Sequence, residues 1–175
     1  AQAALVGYAS EGLLVLFLWA LIEEVFKFAA AYVAALHWRV FDEPLDGVMY
    51  MITAALGFAA LENMLFFINP LMNGQIAETV ITGDLRFVGA TLLHVLSSAT
   101  IGLCLAFAFS KNAAARRSAA LFGVILATTL HTAFNFFILN QGGGATYFVF
   151  LTLWVGIVAL LLFAEQVKQL VYIYR

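Results

Sequence analysis

With 175 residues, 65% of them apolar and 10% charged, and a mean hydropathy of +1.01, the chain reads as one integral membrane domain over residues 1–175 rather than a water-soluble one. Eight basic and ten acidic residues leave a formal net charge of −2 with no basic stripe, which excludes nucleic acid as an expected partner. The single cysteine, Cys104, rules out a disulfide framework and, inside an apolar run, reads as a small core residue.

The chain opens on AQAALVGYAS, without a methionine and without a basic, cleavable signal sequence. The expectation is a trimmed or excerpted product in which residues 1–11 either extend the first helix or end an earlier one. A spanning helix needs about 20 mainly apolar residues, and residues 12–36, 47–68, 87–109, 119–139 and 147–164 each qualify. Between them HWRVFDEPLD, NPLMNGQIAETVITGD, SKNAAARRS and NQGGGAT carry the residues expected of connectors. There is no internal repeat, low-complexity tract or soluble domain. The predicted fold is therefore all-α, a polytopic membrane helix bundle with about five transmembrane helices.

Orientation follows from basic residues near the helix ends. Arg39 follows span one, Lys111, Arg116 and Arg117 follow span three, and Lys168 and Arg175 follow span five, whereas the opposite face has Arg86 alone. This asymmetry predicts that those three segments are cytoplasmic and that the N-terminus and the 69–84 connector face outward.

The first span contains WALIEEVFKF, in which Glu23, Glu24 and Lys27 interrupt an apolar run. The second contains GFAALENMLFF with Glu62 and Asn63, the third TLLHVLSSATIG with Thr91, His94 and Ser98 on one helix face and Gly102 a turn further on, and the fourth LHTAFNFF with His131 and Asn135 four residues apart. Ionisable groups inside spans are costly, and Glu23, Glu24, Lys27 and Glu62 together carry roughly 10 kcal/mol before pairing or protonation. Lys27 lies one helical turn from both glutamates and balances one of them. The second carboxylate is left uncompensated unless it is protonated or bound elsewhere. Adjacent helical residues point about 100° apart, so only one of Glu23 and Glu24 faces a common centre squarely. Counted at 1.5 Å per residue, Glu23, Glu62, His94 and His131 all lie roughly 9 to 17 Å below the outer surface.

Two histidines and two or three carboxylates at one level form a ligand set for zinc, which takes imidazole nitrogen and carboxylate oxygen. Glu62, His94 and His131 are the expected metal ligands, with the Glu23/Glu24 pair supplying the base. The same residues also suit a metal-free reaction, in which a carboxylate and an imidazole deprotonate water while the Asn135 amide stabilises the oxyanion. The contiguous H-E-x-x-H zinc-peptidase signature is absent, so any ligands are distributed over several helices.

EEVFK at 23–27, FAALEN at 58–63, His94 and HTAFN at 131–135 resemble the PrsW-type intramembrane proteases, distant relatives of the CAAX prenyl endopeptidase and bacteriocin-processing superfamily. The resemblance covers spans one to four, with the motifs in order on successive helices. It implies a bacterial inner-membrane endopeptidase, usually described as a metalloprotease, that cleaves membrane-anchored protein substrates, as in anti-sigma-factor processing. Two positions depart from the wider superfamily. Phe28 stands where relatives usually have arginine one position after Lys27, and Glu62 stands where they have histidine. With Glu62 there, either His94 takes the imidazole role or the site recruits a cation.

A cation- or proton-coupled transporter is the competing reading, because Glu, His and Lys in spans also mark ion pathways. Transport predicts polar residues reaching both faces, whereas these cluster toward one. Span five, the NQGGGAT loop and Trp154 read as packing and connection. Phe66, Phe67, Phe136, Phe137 and Tyr147 read as lipid or helix contacts, and His37 and Trp38 as interfacial anchors.

Overall fold

The computed structural model describes residues 2–75, 80, 87–140 and 143–174. Half of the 69–84 connector, with the nearby Arg86, and the terminal Arg175 lie outside the described residues. Among the described residues every regular element is helical, in the order α1 (Gln2–Ala31) running on as a π-helical stretch Tyr32–Leu36, α2 (Pro44–Met72), a π-helical stretch Phe87–Thr91 leading into α3 (Leu92–Phe107), α4 (Ala113–Asn140) and α5 (Gly143–Tyr174). Four stretches are long and apolar enough to cross a membrane: Pro44–Met72, Gly89–Phe107, Ala113–Ile138 and Phe150–Gln169. The 30-residue α1 has the length. Its Glu23, Glu24 and Lys27 set it apart in composition.

Several helices run past the boundaries that apolar content predicts, and local chemistry accounts for the ends of α1 and α2 and the start of α4. Residues 2–11 extend α1 without a break. At its far end the orphan carbonyls of Tyr32 and Val33 meet His37 Nδ1 at 2.6 Å and Trp38 Nε1 at 3.0 Å. The second helix starts with Pro44 at its first position, where a missing N–H costs nothing, and Asp46 Oδ2 accepts the Glu43 N–H at 2.9 Å in the manner of a capping box. It continues through Pro70 and stops in a Schellman motif. Gly74 has φ +71°, its N–H reaches Leu71 O at 3.0 Å, and Gln75 N–H reaches Pro70 O at 3.0 Å. The AAARRS stretch, expected in a connector, forms the first turns of α4, with Asn112 Oδ1 accepting the Ala115 N–H at 2.9 Å. Residues 143–146 of the glycine-rich connector likewise belong to α5.

The α3 helix is the hub. Of its span 61% is buried, against 17–33% of each other candidate span. Small residues bring its neighbours close: a Cβ on Gly102 would lie 2.5 Å from Val48 Cα, and one on Gly123 3.0 Å from Ile101 Cα, so α2 and α4 both approach α3 almost backbone to backbone. Around these crossings Ala31, Met51, Ile101, Leu105, Val124 and Ala127 form one apolar cluster joining α1 to α4. Outside it the surface is apolar, with Trp19, Phe26, Val33, Leu121 and Phe148 all exposed, while Glu24, Lys27, His94, Ser97, Ser98 and His131 are buried. Lipid, not water, is the solvent that such a distribution suits.

Gly102→Ala is expected to lower stability by about 1 to 3 kcal/mol through overpacking against α2, read as a reduced midpoint of thermal unfolding in detergent. Gly57→Ala, where an added Cβ meets nothing within 4 Å, is the matched control and should leave the midpoint unchanged or raise it.

Candidate active site

The polar residues of four helices meet at one place. From α1, Glu24 and Lys27 are 0% and 1% exposed and form an ion pair of 2.6 Å one turn apart. A carboxylate only accepts hydrogen bonds, and Glu24 is filled with donors. Its Oε1 accepts from Lys27 Nζ, from Ser97 Oγ at 2.8 Å and from His131 Nδ1 at 2.9 Å, and its Oε2 accepts from Ser98 Oγ at 2.9 Å. This is the compensation a buried carboxylate requires.

Those bonds dictate the state of the two imidazoles. Because Glu24 cannot donate, His131 must carry its proton on Nδ1, and its Nε2 presents a lone pair. Lys27 Nζ lies 2.9 Å from His94 Nδ1. An ammonium has no acceptor, so His94 Nδ1 accepts, and Nε2–H donates to Glu62 Oε2 on α2 at 2.9 Å. The third side of the Lys27 ammonium faces the Phe58 ring, 4.9 Å from its centroid. The imidazoles stand edge to face, with centroids 5.1 Å apart.

Glu23 completes the arrangement. Its Oε2 is buried and has no hydrogen-bond partner among the described residues, yet it lies 3.6 Å from His131 Nε2 and 4.0 Å from His94 Nδ1. Neither distance is a hydrogen bond. Ligand atoms of Glu23, His94 and His131 thus all lie within 4.8 Å of one another, with His94 Nδ1 also engaged by Lys27. With both imidazoles neutral and all three carboxylates ionised, the one ammonium would leave two negative charges in the cluster. One divalent cation neutralises them. The residues therefore fit a metal by donor type, by the orphaned oxygen and by charge.

The geometry redistributes the roles that spacing suggests. Glu62, expected among the ligands, lies on the side of the His94 ring away from Glu23, bonded to Nε2. Glu23, expected with Glu24 to supply the base, stands at the convergence of the two imidazoles. Glu24 is the one engaged by protein donors at both oxygens. Lys27 pairs with Glu24 as expected, and it also holds His94. Asn135 follows His131 by one turn on α4 and is half-buried. Asn63 bonds Thr91 Oγ1 at 3.3 Å, tying α2 to the start of α3. Sequence spacing misses Ser97 and Phe58. The signal for Ser97 is present in the text, as one of two serines a turn after His94 in an otherwise apolar helix.

Ser97 also forms part of the wall of a cavity of about 660 Å³ between α3, α4 and α5, whose other walls include Leu93, Leu130, Phe134 and Phe148. The hydroxyls of Thr100 and Thr152 in that wall are bonded to their own helix backbones. The cavity is therefore apolar in effect and shares one side chain with the Glu24 cluster.

The model of the PrsW family, described as intramembrane metalloproteases, matches residues 2–162. A protease PrsW from Clostridioides difficile (strain 630) is 32% identical over 122 residues, 69% of this chain and 50% of that protein. A protease PrsW from Geobacillus kaustophilus (strain HTA426) is 38% identical over 92 residues, 53% of this chain and 36% of that protein. The matches span half or less of the length of these curated relatives, and no solved structure matches. On a family match that runs from the first turn of α1 well into α5, the chain belongs to the PrsW family of intramembrane metalloproteases.

Proposed function

We propose that the protein is an endopeptidase that hydrolyses peptide bonds of membrane-anchored proteins, with Glu23, His94 and His131 holding a divalent metal, zinc by donor type. The observation that carries this reading is the buried, unpartnered Oε2 of Glu23, facing His131 Nε2 and His94 Nδ1 at 3.6 and 4.0 Å. A metal bound there supplies Lewis acidity, which polarises the scissile carbonyl and acidifies water. Family membership supports the hydrolytic reading, and nothing in the comparisons favours transport.

The chain's own groups divide the remaining work. Glu24 fixes the His131 ring through Nδ1–H, and Glu62 fixes His94 through Nε2–H, so each imidazole turns its other nitrogen toward Glu23. The Glu62 side chain is 25% exposed and lies at the edge of the cluster. Bonded to Nε2, on the side of the ring away from Glu23, it is assigned the positioning of His94. Asn135 is assigned the oxyanion, as a neutral donor one turn from His131. The apolar cavity beside Ser97 suits the anchor of a membrane-bound substrate.

Positive-inside counting places the 69–84 connector outside, and residue depth then puts the cluster in the outer half of the bilayer. Water enters from that side through a polar opening, because hydrocarbon excludes it. A substrate is cut near the outward end of its anchor, which suits a first, extracytoplasmic cut of an anti-sigma factor.

Three variants separate the roles. In purified protein acting on a single-span substrate, Glu23→Gln is expected to lose bound metal and activity together. Glu62→Gln should weaken metal binding or turnover by about 10- to 100-fold, and Asn135→Ala should lower kcat by about 10²- to 10³-fold with KM little changed. Elemental analysis showing no stoichiometric metal in an active, chelator-indifferent preparation sinks the metal reading. For topology, with Cys104 replaced, a membrane-impermeant thiol reagent is expected to label Gln75→Cys from outside and to leave Ala114→Cys unlabelled. The reverse pattern inverts the protein and moves the cluster to the cytoplasmic half.

A further inference from the structure

The Lys27 ammonium does more than balance Glu24. Its Nζ is 2.6 Å from Glu24 Oε1 and 2.9 Å from His94 Nδ1, and Nδ1 is the same nitrogen that faces Glu23 Oε2 at 4.0 Å. An imidazole nitrogen has one lone pair, and it serves either an N–H donor or a metal. Building on the metal site proposed above, we infer that Lys27 is a resident cation that contends with the metal for His94 Nδ1, and thereby sets how tightly the metal is held.

Its surroundings equip it for both positions. Glu24 Oε1, three residues earlier on the same helix, anchors the ammonium through an ion pair that does not involve His94. The Phe58 face gives it a second contact on the α2 side. Lys27 therefore yields the His94 lone pair without becoming an unpaired buried charge, a loss that would otherwise cost several kcal/mol. While it donates to Nδ1 it also keeps the proton of His94 on Nε2, against Glu62. That is the tautomer from which Nδ1 ligates. Lys27 is in this sense a positioning residue: it acts through His94, never on the substrate, and it remains an ammonium throughout. The arrangement places a positive charge beside the convergence of Glu23 and the two imidazoles whenever a metal is not bound.

The test is a zinc-affinity measurement on the full chain in detergent, stripped with chelator and titrated against a chromophoric competitor. Lys27→Met is expected to bind zinc roughly 10- to 100-fold more tightly than the parent chain, the scale on which groups around metal ligands act. On a His94→Gln background the same substitution should give no gain, because the contested lone pair is gone. A gain that persists in His94→Gln would reduce the effect to removal of a positive charge and overturn the inference. Equal or weaker binding by Lys27→Met, with the parent chain binding zinc, overturns it too. Failure of the parent chain to bind zinc instead defeats the metal site itself. Should Lys27→Met not fold, nitrogen-15 spectra of the stripped parent chain decide: His94 protonated on Nε2 with Nδ1 accepting is the expected state, and His94 protonated on Nδ1 refutes the inference.

Discussion

Glu24 is a carboxylate with no exposed surface in a protein whose exterior is apolar, and the placement of its neighbours follows from the need to satisfy it. Taking such an ion out of water costs several kcal/mol even after relaxation, and loose pairing does not recover that. The four donors that do so come from three helices: Lys27 from α1, Ser97 and Ser98 from α3, and His131 from α4. Each donor also limits where its helix can sit. The small residues at the α3 crossings allow the close approach that these short bonds demand. Polar satisfaction and apolar packing thus specify the same arrangement, which is the consistency expected of a sequence with one native structure.

The two histidines are related by a reversal. His131 offers Nδ1–H to Glu24 and turns Nε2 toward Glu23, whereas His94 offers Nε2–H to Glu62 and turns Nδ1 toward Glu23. Using opposite nitrogens lets rings on two different helices converge on one carboxylate oxygen while each is braced from behind. The brace from α2 brings in the fourth helix. Asn63, the next residue after Glu62, bonds Thr91 and gives α2 a second polar tie to α3 that does not depend on the cluster. The two carboxylates of one dipeptide thus have opposite surroundings, with Glu24 facing donors and Glu23 facing the two imidazoles.

Much of this is legible in the sequence, for identifiable reasons. Ionisable residues are so costly inside apolar spans that Glu23, Glu24, Lys27, Glu62, His94 and His131 declare themselves, and counting along each helix shows that they share a level. Helix rotation is less accessible. It decides which of Glu23 and Glu24 meets the donors and which side of His94 receives Glu62, and it depends on how α1 and α2 pack against α3, which residue spacing on a single helix does not encode. The serines are under-read because a hydroxyl in an apolar helix ordinarily bonds its own backbone, as Thr100 does. Ser98 departs from that habit because Glu24 lies within reach, and Ser97, at 3.2 Å from His94 O, comes closer to Glu24 Oε1 at 2.8 Å. Helix ends are misjudged for a different reason: apolar content marks the part of a helix that suits hydrocarbon, while α4 begins earlier, in the Arg-bearing segment that Asn112 caps.

On the proposed function, the nitrogens of His94 and His131 and the orphaned oxygen of Glu23 hold one metal. The most direct measurement is zinc-edge X-ray absorption on the zinc-loaded protein and on His131→Gln. The expected spectrum shows two imidazole nitrogens and carboxylate oxygen at about 2.0 to 2.2 Å, with one imidazole lost in the variant. A shell without imidazole, or one left unchanged by His131→Gln, contradicts it.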